Sequence, residues 1–181
     1  MSFENAKANL REFGKELNLE LEFDENNTCI LAIDNVFSLH FTFESASGRL
    51  YIYAPVADGL PRDDRLKLTL YEALLEASLL GGQMGGGGVG VAINEELVLM
   101  HYVLPMGDGA DIFALSRFAP IFVECVERWR KRFKDIMEGR DQGATGIPGG
   151  GIPPVSGVTD RDLGSKPVDG KPKPDDGYIK I

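Results

Sequence analysis

Apolar residues recur along this chain with two periods, and the switches between them outline the fold. Phe3, Ala6, Leu10, Phe13 and Leu17 fall at spacings of three and four, which places them in one stripe on a helix. Ser2 stands where an N-cap belongs and Glu4 lies in the first turn. The period then shortens to two. Thr28–Ile33 predicts a strand, Asp34-Asn35 suits a tight two-residue hairpin turn, and Val36–Phe43 predicts the return strand. In that return, Phe37, Leu39, Phe41 and Phe43 share one face, while Ser38, His40 and Thr42 share the other. After a longer turn over Glu44–Gly48, Arg49–Pro55 predicts a third strand that Pro55 closes.

The longer period returns after Pro61. A second helix is expected from Asp63 or Asp64, either of which can cap it, to Leu80. Leu66, Leu70, Ala73, Leu74, Ala77 and Leu80 form one apolar face. Leu68, Tyr71, Leu75 and Leu79 form another, nearly opposite, with Glu72 and Glu76 between them on one side and Lys67 and Ser78 on the other. A surface helix carries one apolar stripe. A helix with two needs cover on both sides, and in so small a chain the second cover is expected to be another copy. Either face could be the outward one, and we assign Leu68, Tyr71, Leu75 and Leu79 to the dimer interface. Gly81–Gly90 ends the helix, and Val89–Ile93 and Leu97–Leu104 predict a second hairpin around Asn94-Glu95-Glu96. A last helix is expected over Asp111–Glu138, with Pro120 kinking its polar side. The order α-βββ-α-ββ-α places the chain in the α+β class.

Composition divides the chain. From residue 139 to residue 181, 16 of 43 residues are Gly or Pro, a level typical of segments that bury too little surface to fold. We therefore expect one folded domain over residues 1–138 and a disordered tail over 139–181. The net charge is −9, and the tail is neutral, so the domain carries all of it. Residues 1–110 hold 7 basic and 17 acidic side chains. The last helix is mildly basic through Arg128, Arg130, Lys131, Arg132 and Lys134. Nucleic-acid binding depends on clustered cations, and an acidic body lacks them. An anionic membrane surface repels it for the same reason. No run approaches the roughly 18 apolar residues of a spanning helix, and the polar N-terminus has no signal pattern. Cys29 and Cys125 read as reduced thiols. The expected location is cytoplasmic.

Catalytic signals are thin. Gly85-Gly86-Gly87-Gly88-Val89-Gly90 matches G-x-G-x-x-G in letters, but here the order is helix, glycines, strand, the reverse of a dinucleotide site. It reads as a flexible connector. A two-residue turn at Asp34-Asn35 would put Cys29 opposite His40, a candidate nucleophile and base or half of a zinc site. No C-x-x-C or H-x-x-x-H spacing completes a metal site, so packing is the favoured reading of the pair. We expect no enzyme, no metal and no cofactor.

Binding signals are stronger. On the same register, the face opposite the phenylalanines would hold Leu31, Ile33, Val36, Ser38 and His40, too apolar for simple exposure. We assign those five residues to a cargo groove, and treat the third strand as a possible edge for strand addition.

Several stretches resemble, in order, the class I type III secretion chaperones, the Tir-chaperone family. They are Asn5–Leu17, Cys29–Phe41, Leu50-Tyr-Ile-Tyr-Ala-Pro-Val, Tyr71–Gly85 and Phe122…Trp129-Arg130. The multi-cargo chaperones of obligate intracellular bacteria look most similar. The four-glycine run and the long tail depart from the family pattern. The resemblance implies a twisted antiparallel sheet packed by helices, and a homodimer without ATPase activity. Such a dimer would hold an N-proximal segment of a secreted effector extended and deliver it to the secretion apparatus and its ATPase. A regulatory binding domain of the same fold is the alternative, with a small enzyme using Cys29 and His40 behind it.

Overall fold

The computed structural model describes residues 1–140. The expectation of a disordered tail over 139–181 falls, from residue 141 on, outside the described residues. The order is α1 (Ser2–Leu17), β1 (Thr28–Ile33), β2 (Phe37–Glu44), β3 (Arg49–Asp58), α2 (Asp64–Ser78), β4 (Gly88–Ala92), β5 (Leu97–Pro105) and α3 (Ala114–Met137). The five strands form one antiparallel sheet in the order β1-β2-β3-β5-β4. The α+β class and element order are as expected.

The core lies between one face of the sheet and all three helices. Leu39, Phe41, Leu50, Ile52, Ala54 and Met100 point into it and are fully buried. Ala6, Leu10 and Phe13 come from α1, Leu70, Ala73, Leu74 and Ala77 from α2, and Leu115, Phe122, Val126 and Trp129 from α3. The rings of Phe3 and Phe13 seat α1 on Phe43 and Phe41 at 5.0 and 5.8 Å. Tyr102 stacks on Phe118 of α3 at 4.7 Å. The stripe anticipated on α1 thus faces the core, although Leu17 at its end is exposed.

Asn9 is the one buried polar residue of this core among the described residues. Its Nδ2 donates to the carbonyls of Asn5 and Asp111, and its Oδ1 accepts from the Leu115 amide at 3.0 Å. It thereby fastens α1 to the start of α3 and leaves little of its polarity unmet. Arg130 is a second tie. It donates to the carbonyls of Pro55 and Val36 at 3.0 and 3.2 Å, and its guanidinium lies 5.5 Å from the Phe37 ring centroid.

Local differences from the expected elements have identifiable causes. Ser2 is the first residue of α1 and its side chain makes no cap. Pro55 does not end β3, because the register shifts between Pro55 and Ala57 and the strand continues to Asp58; a bulge tolerates the missing N–H. β3 is also an inner strand, paired with β2 and β5, so it offers no edge. The edges are β1 and β4. Asp63 caps α2 by accepting from the Leu66 amide at 2.9 Å. That helix stops at Ser78, and Leu80 takes a left-handed φ of 54° that turns it out of the buried face. α3 starts at Ala114, since Asp111 closes the preceding turn by accepting from the Phe113 and Ala114 amides. Pro120 does lie on its exposed side.

Candidate functional site

The first hairpin differs from expectation by one residue, and that residue decides which side chains meet. Asp34 and Asn35 both have φ above zero, but Val36 joins them in the loop, and its amide donates back to the Ile33 carbonyl at 2.8 Å. The pairing is therefore Ile33 with Phe37, Leu31 with Leu39 and Cys29 with Phe41. A one-residue slip moves every side chain of a strand to the other face. Leu31 and Ile33 pack against the core, while Ser38 and His40 point away from the helices and Val36 sits exposed at the loop. The five residues assigned to one groove are thus divided between two faces and a turn.

The same slip separates Cys29 from His40. Cys29 lies on the helix side, and burial there raises its thiol pKa, with Asp24 adding to the effect and a hydrogen bond to the Glu22 backbone opposing it. Ile30, not Cys29, stands opposite His40. The candidate nucleophile–base or half-zinc pair is not formed. Among the described residues no group of three or more His, Cys, Asp or Glu converges on a possible metal position.

Among the described residues, nothing packs on the sheet face away from the helices, and it is bare. Its outward positions run from Thr28, Ile30 and Ala32 on β1, through Ser38, His40, Thr42 and Glu44 on β2, to Arg49, Tyr51, Tyr53 and Pro55 on β3. On β5 and β4 they are Leu97, Leu99, His101 and Val103, with Gly88, Gly90 and Ala92. Formal charges stand only toward its ends, at Glu44, Arg49 and Asp58. Polar groups in the middle satisfy one another. Ser38 Oγ meets His40 Nε2 at 2.7 Å, Thr28 meets Thr42 at 3.0 Å, and Thr42 meets the Tyr53 hydroxyl at 3.3 Å. His40 stacks on Tyr53 at 4.9 Å, and burial holds its pKa below the usual 6.5. Polar groups already paired cost less to strip of water. By contrast, exposed positions of α3 carry Glu124, Glu127, Arg128, Lys131 and Lys134, the composition of a face that meets water.

Two further apolar surfaces lie on the helix side. On α2 and the turn that follows it, Leu68, Leu75 and Leu79 are 58%, 74% and 68% exposed, with Tyr71 partly buried. The opposite face of the helix is in the core, so its two-faced character is retained in the folded chain. Between α1 and the segment leading into β1 runs a cleft of about 370 Å³, lined by Phe3, Leu10, Leu21 and Phe23 and rimmed by Lys7, Arg11, Asp24 and Glu25. Sequence reasoning missed this cleft, because its floor is built by Leu21 and Phe23 in an irregular stretch that has no period.

The glycine run is packed, not slack. A Cβ on Gly87 would stand 2.1 Å from the His101 carbonyl oxygen, and one on Gly81 would stand 2.9 Å from Gly86 backbone atoms. Gly85 and Gly86 have φ of 60° and 83°, which L side chains rarely adopt. The indole of Trp129 donates to the Gln83 carbonyl at 3.2 Å and anchors the same turn to α3.

A small α+β chain with one sheet face open and an apolar helix face unpartnered is a binding module in form. A family model described as the Tir chaperone protein (CesT) family matches residues 8–130, and the chain belongs to that family. Among solved structures, the HopA1–SchA chaperone–effector complex contains a chain 26% identical, with a TM-score of 0.57 over 72% of this chain and 97% of that one. The ExsC–ExsE complex gives a TM-score of 0.57 at 14% identity, over 71% of this chain and 92% of that one. The Yersinia pestis type III secretion chaperone SycH, bound to a fragment of YscM2, gives 0.52 at 20% identity, over 69% and 97%. The last two likenesses are of fold. No curated protein sequence matches the chain.

Proposed function

We propose that this chain is a type III secretion chaperone that works in the cytoplasm as a homodimer. It binds N-proximal segments of secreted effector proteins, keeps them extended and export-competent, and passes them to the secretion apparatus and its ATPase. Family membership supports this reading, as does the likeness to a chaperone solved in complex with its effector. The observation that carries it is that two separate apolar surfaces remain exposed after the core is closed, one on α2 and one on the bare sheet face. Isolated monomers rarely leave such surfaces without a use.

In this reading Leu68, Tyr71, Leu75 and Leu79 meet their counterparts across a twofold axis. Cargo lies on the bare face against Ser38, His40 and Ile30, with Val36 at the rim; Leu31 and Ile33 support that face from the core side. Binding along many weak contacts offsets the entropy lost by holding a chain extended. The acidic body steers segments with basic residues toward it. The protein acts by binding alone.

Affinity purification of the tagged chain from its native cell, followed by mass spectrometry of what it holds, tests the reading. We expect a secreted protein bound through a segment near its N-terminus. Recovery of no secreted client overturns it.

A further inference from the structure

The chain has two histidines, and the sheet sets both in one cross-strand row. Read across the register, Ile30 of β1, His40 of β2, Tyr53 of β3, His101 of β5 and Gly88 of β4 stand side by side on the bare face. Neither imidazole projects freely from it. The His40 ring stacks on Tyr53 with 18° between their planes, and Ser38 Oγ meets its Nε2 at 2.7 Å. The His101 ring leans over Gly88, where a Cβ would stand 3.0 and 3.1 Å from two of its atoms. A glycine inside a strand marks a place where something must come close, and at Gly88 that group is the His101 imidazole. Whatever covers the middle of this face rests on the two rings.

We propose that this row makes occupancy of the bare face depend on pH: neutral imidazoles admit the secreted polypeptide, and an imidazolium at His40 or His101 drives it off. The proposal rests on the chaperone reading above and adds a control to the same site. Its physical basis is the want of a counter-ion. Beside His40, β1 turns no titratable group outward and β3 turns only Tyr51 and Tyr53; beside His101, β4 turns none and β3 the same two tyrosines. Formal charges stand at the margins of the face. Asp24 precedes β1, Asp34 lies in the first hairpin turn, Glu44 and Arg49 pair at one end of β2 and β3, Asp58 ends β3, and Glu95 and Glu96 lie in the second hairpin turn. Arg130 reaches the Val36 and Pro55 carbonyls from the helix side. A charge covered without a partner costs far more than a covered neutral ring. Burial by the chain's own atoms already lowers the His40 pKa below the usual 6.5, and a polypeptide lying over the ring lowers it further. The sign follows from linkage. Above the pKa of the free chain neither state binds the proton and affinity is constant. As the pH falls through that value, the free chain takes up a proton that the complex does not hold, and affinity drops by up to about tenfold per pH unit for each imidazole.

The probe is a fluorescently labelled N-proximal fragment of the secreted protein recovered in the purification above. It is titrated by anisotropy at pH 7.5 and pH 5.5 against the full wild-type chain, His40→Gln, His101→Gln and the double variant, with mass at both pH values measured by sedimentation. Gln carries no charge at either pH and can still hydrogen-bond Ser38. His101 is exposed, so His101→Gln keeps the test open should His40→Gln fail to fold. We expect wild type to bind about fivefold or more weakly at pH 5.5 than at pH 7.5, each single variant to lose less, and the double variant to bind alike at both, all at unchanged mass. Wild-type binding that is equal or tighter at pH 5.5 overturns the control while leaving the chaperone reading in place. The same loss in wild type and in every variant also overturns it, because the proton is then taken up elsewhere. A loss that tracks a fall in wild-type mass overturns it in favour of an interface between copies. Failure of wild type to hold any secreted client at pH 7.5 overturns the chaperone reading, and the control with it.

Discussion

On one side of the sheet Leu39, Phe41, Leu50 and Ile52 are wholly buried, while one residue along the same strands His40, Thr42, Tyr51 and Tyr53 are only partly covered and face no helix. Both sets stand on the same pleated backbone. The covered side is all hydrocarbon, and its worth lies in burial at roughly 25 cal/mol per Å². The bare side is mixed. Beside Ile30, Ala32, Leu99 and Val103 it holds hydroxyls, an imidazole and aromatic rings, several of which pair with one another. A surface meant only for water would resemble the outer side of α3. The bare face can lose water to a partner at modest cost and regain it when the partner leaves, which suits temporary binding.

The largest test of this contrast is on the covered side. Phe41→Ala removes a fully buried ring packed against Phe13 and should cost about 3–5 kcal/mol, a large share of the stability of a small domain. Urea unfolding measures it, and a loss below about 1 kcal/mol would mean that the two sides are not distinct. Next is the exposed face of α2. Leu75→Asp should leave the fold of each chain unchanged, since Leu75 is 74% exposed, and convert the proposed dimer to a single 19.8 kDa chain by sedimentation equilibrium. A variant that still sediments as a dimer places the interface elsewhere.

The smallest effect belongs to His40. Burial on the bare face lowers its pKa below the usual 6.5, so between the two values the unfolded chain binds more protons than the folded one. The contribution of His40 is therefore intact above pH 6.5 and is lost as the pH falls from there toward its folded pKa. We expect the urea midpoint to drop modestly on going from pH 7.5 to 5.5, and His40→Gln to reduce that drop. An identical drop in the variant would show that His40 is not desolvated.

Much of this architecture was legible in the sequence where the signal is periodic and tolerates small errors of boundary. The two faces of α2 survive a helix end that shifted from Leu80 to Ser78, because each face repeats over several turns. The first hairpin allows no such slack. Counting Val36 as strand instead of loop exchanged Cys29, Leu31 and Ile33 with Ile30 and Ala32 on the bare face, and no periodicity within β1 itself shows the error, since both its faces are apolar. The long-range pairing β3 with β5 turned a possible edge into an inner strand, and strand order has no local signal at all. Asn9 had a readable sign, a polar residue placed between Ala6 and Phe13 at helical spacing. The α1 cleft and the demand for glycine at Gly87 depend on atoms distant in sequence and could be seen only once the chain was folded.

Amide hydrogen exchange with and without the bound secreted fragment addresses the central claim most directly, because it reports which backbone a partner covers. The account predicts added protection along β1 and β2, where Ile30, Ser38 and His40 line the bare face, with α1 and α3 unchanged. Protection confined to the helices, with β1 and β2 exchanging as in the free protein, would contradict it.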